Sequence, residues 1–326
     1  LQEGINEAGA MSSWIAAATA YANHGQSMIP FYIYYSMFGF QRVGDLAWAA
    51  GDMQARGFLI GGTAGRTTLA GEGLQHQDGH SHLVAATIPN CVSYDPAYAY
   101  ELAVIVQDGL RRMYQEKENC FYYITTMNEN YVQPAMPGGA QGGVAAGILK
   151  GMYRVYRGEE RAHRVQLLGA GTILREVLAA AELLEKDFDV GSAVWSVTSF
   201  NELRREGMDA ERWNMLHPDQ EQRTTYVEAQ LAGSRGPIVA ATDYMRAYAD
   251  QIRPYVPRRY VVLGTDGFGR SDMRSQLRKF FEVNRYYVAV AALKALADEG
   301  EIPSSTVSEA IQKYRIDPDK PNPLKV

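Results

Sequence analysis

The run Met28-Ile29-Pro30-Phe31-Tyr32-Ile33-Tyr34-Tyr35-Ser36-Met37-Phe38 is mostly apolar and aromatic, and it ends at Gly39. Its aromatic density predicts a buried strand followed by a turn. A helical pattern follows over residues 41–56, and a short strand over 57–62 then enters a glycine-rich turn. A strand, a helix and a further strand in this order favour a parallel sheet.

The same alternation continues along the chain. We expect further strands at residues 87–94, 120–127, 165–168, 193–197, 237–242 and 260–264. Helices are predicted at residues 4–22, 96–115, 172–186, 271–281, 285–299 and 303–314. The pattern predicts an α/β protein with two doubly wound domains, in which helices cover both faces of each sheet. A Pro/Gly-rich break at 133–143 lies in a predicted linker at 128–160, which includes a strand-like arm at 148–156.

Composition limits the classes of function. The chain has 326 residues, of which 46% are hydrophobic and 21% charged, as in ordinary globular proteins. The net charge of -5 and the lack of a basic face argue against nucleic acid as a partner. No apolar run is long enough to span a bilayer, and the first residues lack the features of a signal peptide. Cys91 and Cys120 stand in strand-like runs, which predicts buried free thiols and a cytoplasmic location.

The stretch Gly71-Glu72-Gly73-Leu74-Gln75-His76-Gln77-Asp78-Gly79-His80-Ser81-His82 contains three of the six histidines and two carboxylates. Its glycines predict a loop, and a loop so rich in proton-transfer groups is a candidate site. Two other interpretations stay open. The histidines could simply be solvated, or His76, His80 and His82 could converge on a metal ion.

Two shorter motifs favour structural roles. Gly169-Ala170-Gly171-Thr172 opens a helix after a strand, but Leu174 stands where a dinucleotide fingerprint has its third glycine. In the turn at 264–272, Ser271 and Asp272 are predicted to cap the helix that follows.

Three segments together resemble a known family. They are Gly4-Ile5-Asn6-Glu7 at the start of an alanine-rich helix, the run Phe31 to Phe38, and Gly71-Glu72-Gly73-Leu74-Gln75-His76. The chain resembles thiamine-diphosphate enzymes, and within them the homodimeric bacterial pyruvate dehydrogenases, the first component of the pyruvate dehydrogenase complex. The similarity extends to residues 264–283, which are similar to the last domain of that family.

The resemblance implies roles for individual residues. Glu7 is implied as the carboxyl group that activates the aminopyrimidine of the cofactor, and His76 as a proton donor or acceptor for the substrate. Phe38 would pack on the pyrimidine ring, with Ile5 beside it. Tyr35 and Glu72 would lie on the substrate side. The resemblance leaves the roles of His80, His82 and Arg42 undefined.

The resemblance also implies partners and domains. It implies decarboxylation of pyruvate, the end product of glycolysis, and transfer of the acetyl group to the lipoyl group of dihydrolipoyl acetyltransferase. Residues 1–145 would form a pyrimidine-side domain truncated at its N-terminus, and residues 146–326 a transketolase-like C-terminal domain. The family's Gly-Asp-Gly motif, which holds Mg²⁺ and the diphosphate, does not occur in the sequence. We therefore expect half of each site here and the other half in a preceding domain, across a dimer interface.

Two alternatives remain from the sequence alone. The chain by itself could be a non-catalytic module for dimerisation and assembly, as the lack of the metal motif suggests. It could also belong to a ketol transferase of the transketolase type, although Glu72-Gly73-Leu74-Gln75-His76 departs from the usual transketolase form.

Overall fold

The computed structural model describes residues 1–139 and 143–326. The first sheet in these residues is parallel, with the strand order β1-β2-β4-β3. Its strands are β1 (Phe31–Tyr35), β2 (Phe58–Gly62), β3 (Cys91–Tyr94) and β4 (Phe121–Thr125). The helices of this part are α1 (Glu7–Ala18), α2 (Ala20–Asn23), α3 (Gly39–Asp52), α4 (Ser81–Ala85), α5 (Ala99–Leu110) and α6 (Val144–Lys150).

The second sheet has the strand order β5-β7-β6-β8-β9, in which only the pairing of the edge strand β5 with β7 is antiparallel. Its strands are β5 (Met152–Arg157), β6 (His163–Gly169), β7 (Val190–Val197), β8 (Ile238–Ala241) and β9 (Tyr260–Leu263). Its helices are α7 (Leu174–Phe188), α8 (Phe200–Leu216), α9 (Tyr226–Leu231), α10 (Arg246–Asp250), α11 (Arg274–Phe280), α12 (Arg285–Asp298) and α13 (Ser304–Lys313).

Each sheet is buried between two apolar layers, which confirms the predicted doubly wound α/β class. Met11 and Trp14 of α1 pack with Tyr123 on one face of the first sheet, and Ile105 of α5 packs with Tyr122 on the other. The second sheet is covered in the same way by α7, α12 and α13 on one face and by α8, α9 and α10 on the other. Inner strands such as β4 are wholly buried, as expected for parallel sheets.

The prediction of a buried strand at residues 28–38 was wrong in its length and in its burial. β1 is the edge strand of its sheet and covers only Phe31–Tyr35. Tyr34 is buried, whereas Ile33 is 70% exposed. The aromatic run is therefore one wall of an open surface, and a short 3₁₀ turn (Ser36–Phe38) leads from it into α3.

Other boundaries also differ from the predictions. The first helix does not extend over 4–22, because it ends at Ala18 and a short turn of helix (Ala20–Asn23) follows. The predicted linker at 128–160 contains α6 and β5, and β5 pairs with β7. Residues 140–142 of the predicted Pro/Gly-rich break lie outside the described residues. Cys91 and Cys120 are buried free thiols, as predicted.

The turn after β6 shows why glycines stand at positions 169 and 171. A Cβ on Gly169 would lie 2.7 Å from the Cα of Leu174, and one on Gly171 would lie 2.6 Å from Asp95 Oδ2. Gly171 also has φ +50°, which L side chains rarely adopt. Close packing of backbone and side chains thus accounts for this motif.

No helix in the described ranges combines the length and apolar character that a membrane crossing requires.

Candidate active site

A groove of ≈ 940 Å³ runs along the exposed side of β1 and the start of α1. Residues from three separated segments line it, among them Ile5, Glu7, Tyr35, Phe38 and His76. β1 and β2 are adjacent and parallel, so the turn after Tyr35 and the loop after Gly62 leave the same edge of the sheet. Ligand sites in open α/β sheets lie at this carboxyl edge.

Glu7 occupies the first turn of α1, where the helix dipole favours a carboxylate. Asn6 caps this helix by accepting a 3.1 Å hydrogen bond from the backbone N–H of Gly9. Arg42 Nη1 donates to Glu7 Oε1 at 2.6 Å. Burial, followed by the nearby charge of Glu7, raises the pKa of Tyr32 to about 12, so that phenol stays neutral beside the carboxylate.

Three rings meet at the other side of the groove. The ring centroids of Phe38 and His76 lie 5.1 Å apart at 73°, and those of Tyr35 and His76 lie 5.6 Å apart. The guanidinium of Arg42 lies 4.2 Å from the centroid of Phe38. His76 Nδ1 is buried and has no hydrogen-bond partner among the described residues.

The structure brings four of the six predicted site residues, Glu7, Phe38, Tyr35 and His76, into one wall. Ile5 lines the same groove but is 96% exposed, so it packs on nothing in this chain. Glu72 lies four residues before His76 in the same loop, and its carbonyl accepts a 2.8 Å hydrogen bond from Ser271 Oγ.

The loop that carries His76 is held by the second half of the chain. Gln77 is buried, and its side-chain amide exchanges two hydrogen bonds with the backbone of Arg270, at 2.7 and 2.8 Å. Its Nε2 also donates to the carbonyl of Leu69 at 3.0 Å. Earlier in the same loop, the backbone N–H and hydroxyl groups of Thr67 and Thr68 donate hydrogen bonds to Asp243. The predicted capping of α11 by Ser271 and Asp272 was wrong, because Met273 is the N-cap residue and Ser271 bonds to this loop instead.

The three histidines of this stretch do not converge. His80 Nε2 lies 3.2 Å from Gln41 Nε2. His82 belongs to α4, not to the loop, and it is fully buried with Nε2 3.0 Å from Thr125 Oγ1. Burial lowers the pKa of His82 to about 4, so it is neutral at pH 7. In residues 1–139 and 143–326, no three His, Cys, Asp or Glu side chains form a candidate metal site.

Sequence reasoning missed several charged residues that organise this region. Arg42 bonds to Glu7, which precedes it by 35 positions, whereas Asp45 accepts from the backbone N–H of Leu46. Asp243 and Asp95 are both fully buried. Each follows the end of a strand, β8 and β3, and that position was the signal that could have identified them.

Comparisons with known proteins identify one family model in each half of the chain. Residues 1–134 match the family described as the pyruvate dehydrogenase E1 component middle domain. Residues 151–284 match the family described as the transketolase-like TK C-terminal domain.

Similar proteins cover nearly the whole chain. The pyruvate dehydrogenase E1 component of Pseudomonas aeruginosa is 67% identical over 99% of the chain, and that of Escherichia coli K12 is 64% identical over 99%. The chain spans about a third of these relatives, 36% of each. Among solved structures, a transketolase from Campylobacter jejuni superposes with a TM-score of 0.62 at 18% identity, over 86% of this chain and 38% of that one. A split-gene transketolase superposes with a TM-score of 0.63 at 15% identity, over 90% of this chain and 83% of that one. At these identities the likeness concerns the fold alone.

Proposed function

Because the chain belongs to the pyruvate dehydrogenase E1 component family, we propose that it is part of an enzyme that decarboxylates pyruvate with thiamine diphosphate. In this proposal the acetyl group passes to the lipoyl group of the dihydrolipoyl acetyltransferase of the complex. The chain supplies the side of the site that binds the aminopyrimidine ring. Residues 1–145 and 146–326 are the two domains of the proposal.

One observation carries the proposal. Four predicted site residues line one groove. Glu7 belongs to α1, Tyr35 and Phe38 to the end of β1 and the turn after it, and His76 to the loop after β2. A carboxylate beside aromatic rings suits a flat heteroaromatic ring that offers both a basic nitrogen and a π-face. The imidazole of His76, which packs beside Phe38 and Tyr35, lines the same wall.

The bound cofactor would supply the electron sink for decarboxylation, which no side chain of this chain can provide. Glu7 would hold or share a proton with the pyrimidine nitrogen, and Arg42 would fix the direction of that carboxyl group through its 2.6 Å contact. Phe38 would set the plane of the ring. His76 would hold or deliver a proton at the substrate, and Tyr35, which contacts the His76 ring, would limit the position of that ring.

Magnesium and the diphosphate need groups that we do not find in the described residues, where no candidate metal cluster occurs. We propose that a further segment of the enzyme provides them and that the enzyme is a homodimer. Exposed apolar side chains around the groove support this, since Ile5, Phe31 and Ile33 are all at least 48% exposed. Apolar surface of this extent is typical of interfaces.

The same exposed edge also favours the second candidate, in which the chain alone is an assembly module without activity. Calorimetric titration with thiamine diphosphate and Mg²⁺ separates the two, carried out on this chain and on the full-length enzyme. We expect tight binding and pyruvate turnover only in the full-length enzyme. Tight binding by this chain alone would refute the half-site proposal.

A second experiment tests His76 by its replacement with Ala in the full-length enzyme. Unchanged pyruvate turnover of the His76→Ala variant would show that His76 takes no part in the reaction.

A further inference from the structure

A second cavity, of ≈ 400 Å³, lies in the other half of the chain. It is enclosed by the end of α11, the start of α12 and the residues that follow α13. None of its lining residues lines the groove of the candidate active site. Its volume is that of a small-molecule site.

The lining of this cavity carries an excess of positive charge. It contains four cations, Arg278, Lys279, Arg285 and Arg315, and a single carboxylate, Glu176. Arg285 neutralises Glu176 with hydrogen bonds from its backbone N–H, Nε and Nη2, at 2.9 to 3.0 Å. Lys279 and Arg315 make no salt bridge within the described part of the chain, so their charge remains available to a ligand.

Arg278 adds a buried cation to the same lining. It is only 5% exposed, its guanidinium binds Glu129, and its Nη1 lies 3.7 Å from Glu176 Oε1. It therefore contributes to the positive potential of the lining rather than a free donor.

Aromatic rings complete the lining. Tyr286 and Tyr314 have ring centroids 5.0 Å apart, and both line the cavity. The Tyr314 hydroxyl donates to Asp187, which leaves its ring rather than its polar end for the cavity. Cations that suit phosphate oxygens therefore stand beside planar rings that suit a base.

We propose that this cavity is a binding site for a nucleoside phosphate, with Lys279 and Arg315 on the phosphates and the tyrosine rings on the base. The site is independent of the proposed activity, because it shares no residue with the groove.

Calorimetric titration of this chain with ADP, and separately with pyrophosphate, tests the proposal. We expect one saturable ADP site per chain and tighter binding of ADP than of pyrophosphate. The double variant Lys279→Gln with Arg315→Asn should weaken both by about tenfold or more, because charge-assisted bonds to phosphate are the strong ones. Tyr286→Leu should weaken ADP alone.

The matched control removes two exposed cations elsewhere on the same half, Lys186→Gln with Arg258→Gln, so that the net charge of the two double variants is equal. It should leave ADP binding within about twofold, as expected for exposed charges. No saturable binding, or equal loss in both double variants, would overturn the site. Equal affinity for ADP and pyrophosphate would overturn the assignment to a nucleoside phosphate. Urea unfolding of each variant confirms that the fold is intact.

Discussion

Arg42 Nη1 lies 2.6 Å from Glu7 Oε1, while the same guanidinium lies 4.2 Å from the centroid of Phe38. One cation thus contacts both the carboxylate and the ring that we assign to the pyrimidine side of the site. The Arg42 side chain is 46% exposed, and exposed ion pairs stabilise proteins by at most about 1 kcal/mol. The pair therefore matters for the direction of the carboxylate more than for stability.

Replacing Glu7 by Gln in the full-length enzyme should lower pyruvate turnover by about 10²-fold or more, the usual contribution of a positioned acid or base. The amide can still accept from Arg42 but cannot hold or share a proton in the same way. Steady-state turnover with a saturating lipoyl acceptor measures the effect. Glu3→Gln is the control, because Glu3 lines the same groove and accepts from Ser13. Equal turnover of the Glu7→Gln variant and the parent would exclude Glu7 from proton transfer.

Much of the fold could be predicted from sequence, because alternation of strands and helices is a local pattern. The burial of β1 could not be predicted, because an aromatic strand has the same sequence pattern at the edge of a sheet as in its interior. The same holds for Arg42, since its pairing with Glu7 joins residues 35 positions apart. Local sequence carries no signal for a contact that only the packing of α1 against α3 creates.

Gln77→Leu should destabilise the chain by about 2–4 kcal/mol. Leucine keeps roughly the same side-chain volume but leaves the buried carbonyl of Leu69 and the part-buried N–H and carbonyl of Arg270 without their partner. Urea unfolding measures this loss. Hydrogen exchange should also accelerate at residues 71–77, because the bonds to Arg270 hold this loop. Gln75→Leu is the control, as Gln75 is exposed in the same loop. Unchanged exchange in the Gln77 variant would mean that other contacts hold the loop.

Asp95→Asn should flatten the dependence of stability on pH between about 4 and 8. Burial raises the pKa of Asp95 from its ordinary value of 3.8 to about 8. As the pH rises through this window the unfolded chain loses the proton while the folded chain keeps it, so the free energy of unfolding falls. Asparagine does not titrate and can still accept from Thr125, which donates to Asp95 Oδ1 at 2.7 Å.

Urea unfolding at pH 5, 6, 7 and 8 measures how the free energy of unfolding of Asp95→Asn changes with pH. Asp219→Asn is the control, since Asp219 is exposed. The other buried acids nearby, Asp78, Asp243 and Glu101, are present in both variants. A slope for Asp95→Asn equal to that of the parent would show that Asp95 is ionised in the folded chain.

His82→Gln should change the dependence of stability on pH between about 4 and 6.5, in the sense opposite to that of Asp95→Asn. Burial lowers the pKa of His82 from 6.5 to about 4, so between these values the unfolded chain binds a proton that the folded chain does not. The parent therefore loses stability as the pH falls through this window, and glutamine, which can still bond to Thr125, removes that loss. His24→Gln, at an exposed position, is the control and should leave the slope unchanged. The windows of His82 and Asp95 overlap between about pH 4 and 6.5, so their opposite slopes partly cancel there. Removal of His82 should therefore expose the contribution of Asp95 as a steeper fall of stability with rising pH. If the free energy of unfolding changes with pH equally in the parent and in His82→Gln between about pH 4 and 6.5, His82 takes up its proton in the folded chain as well.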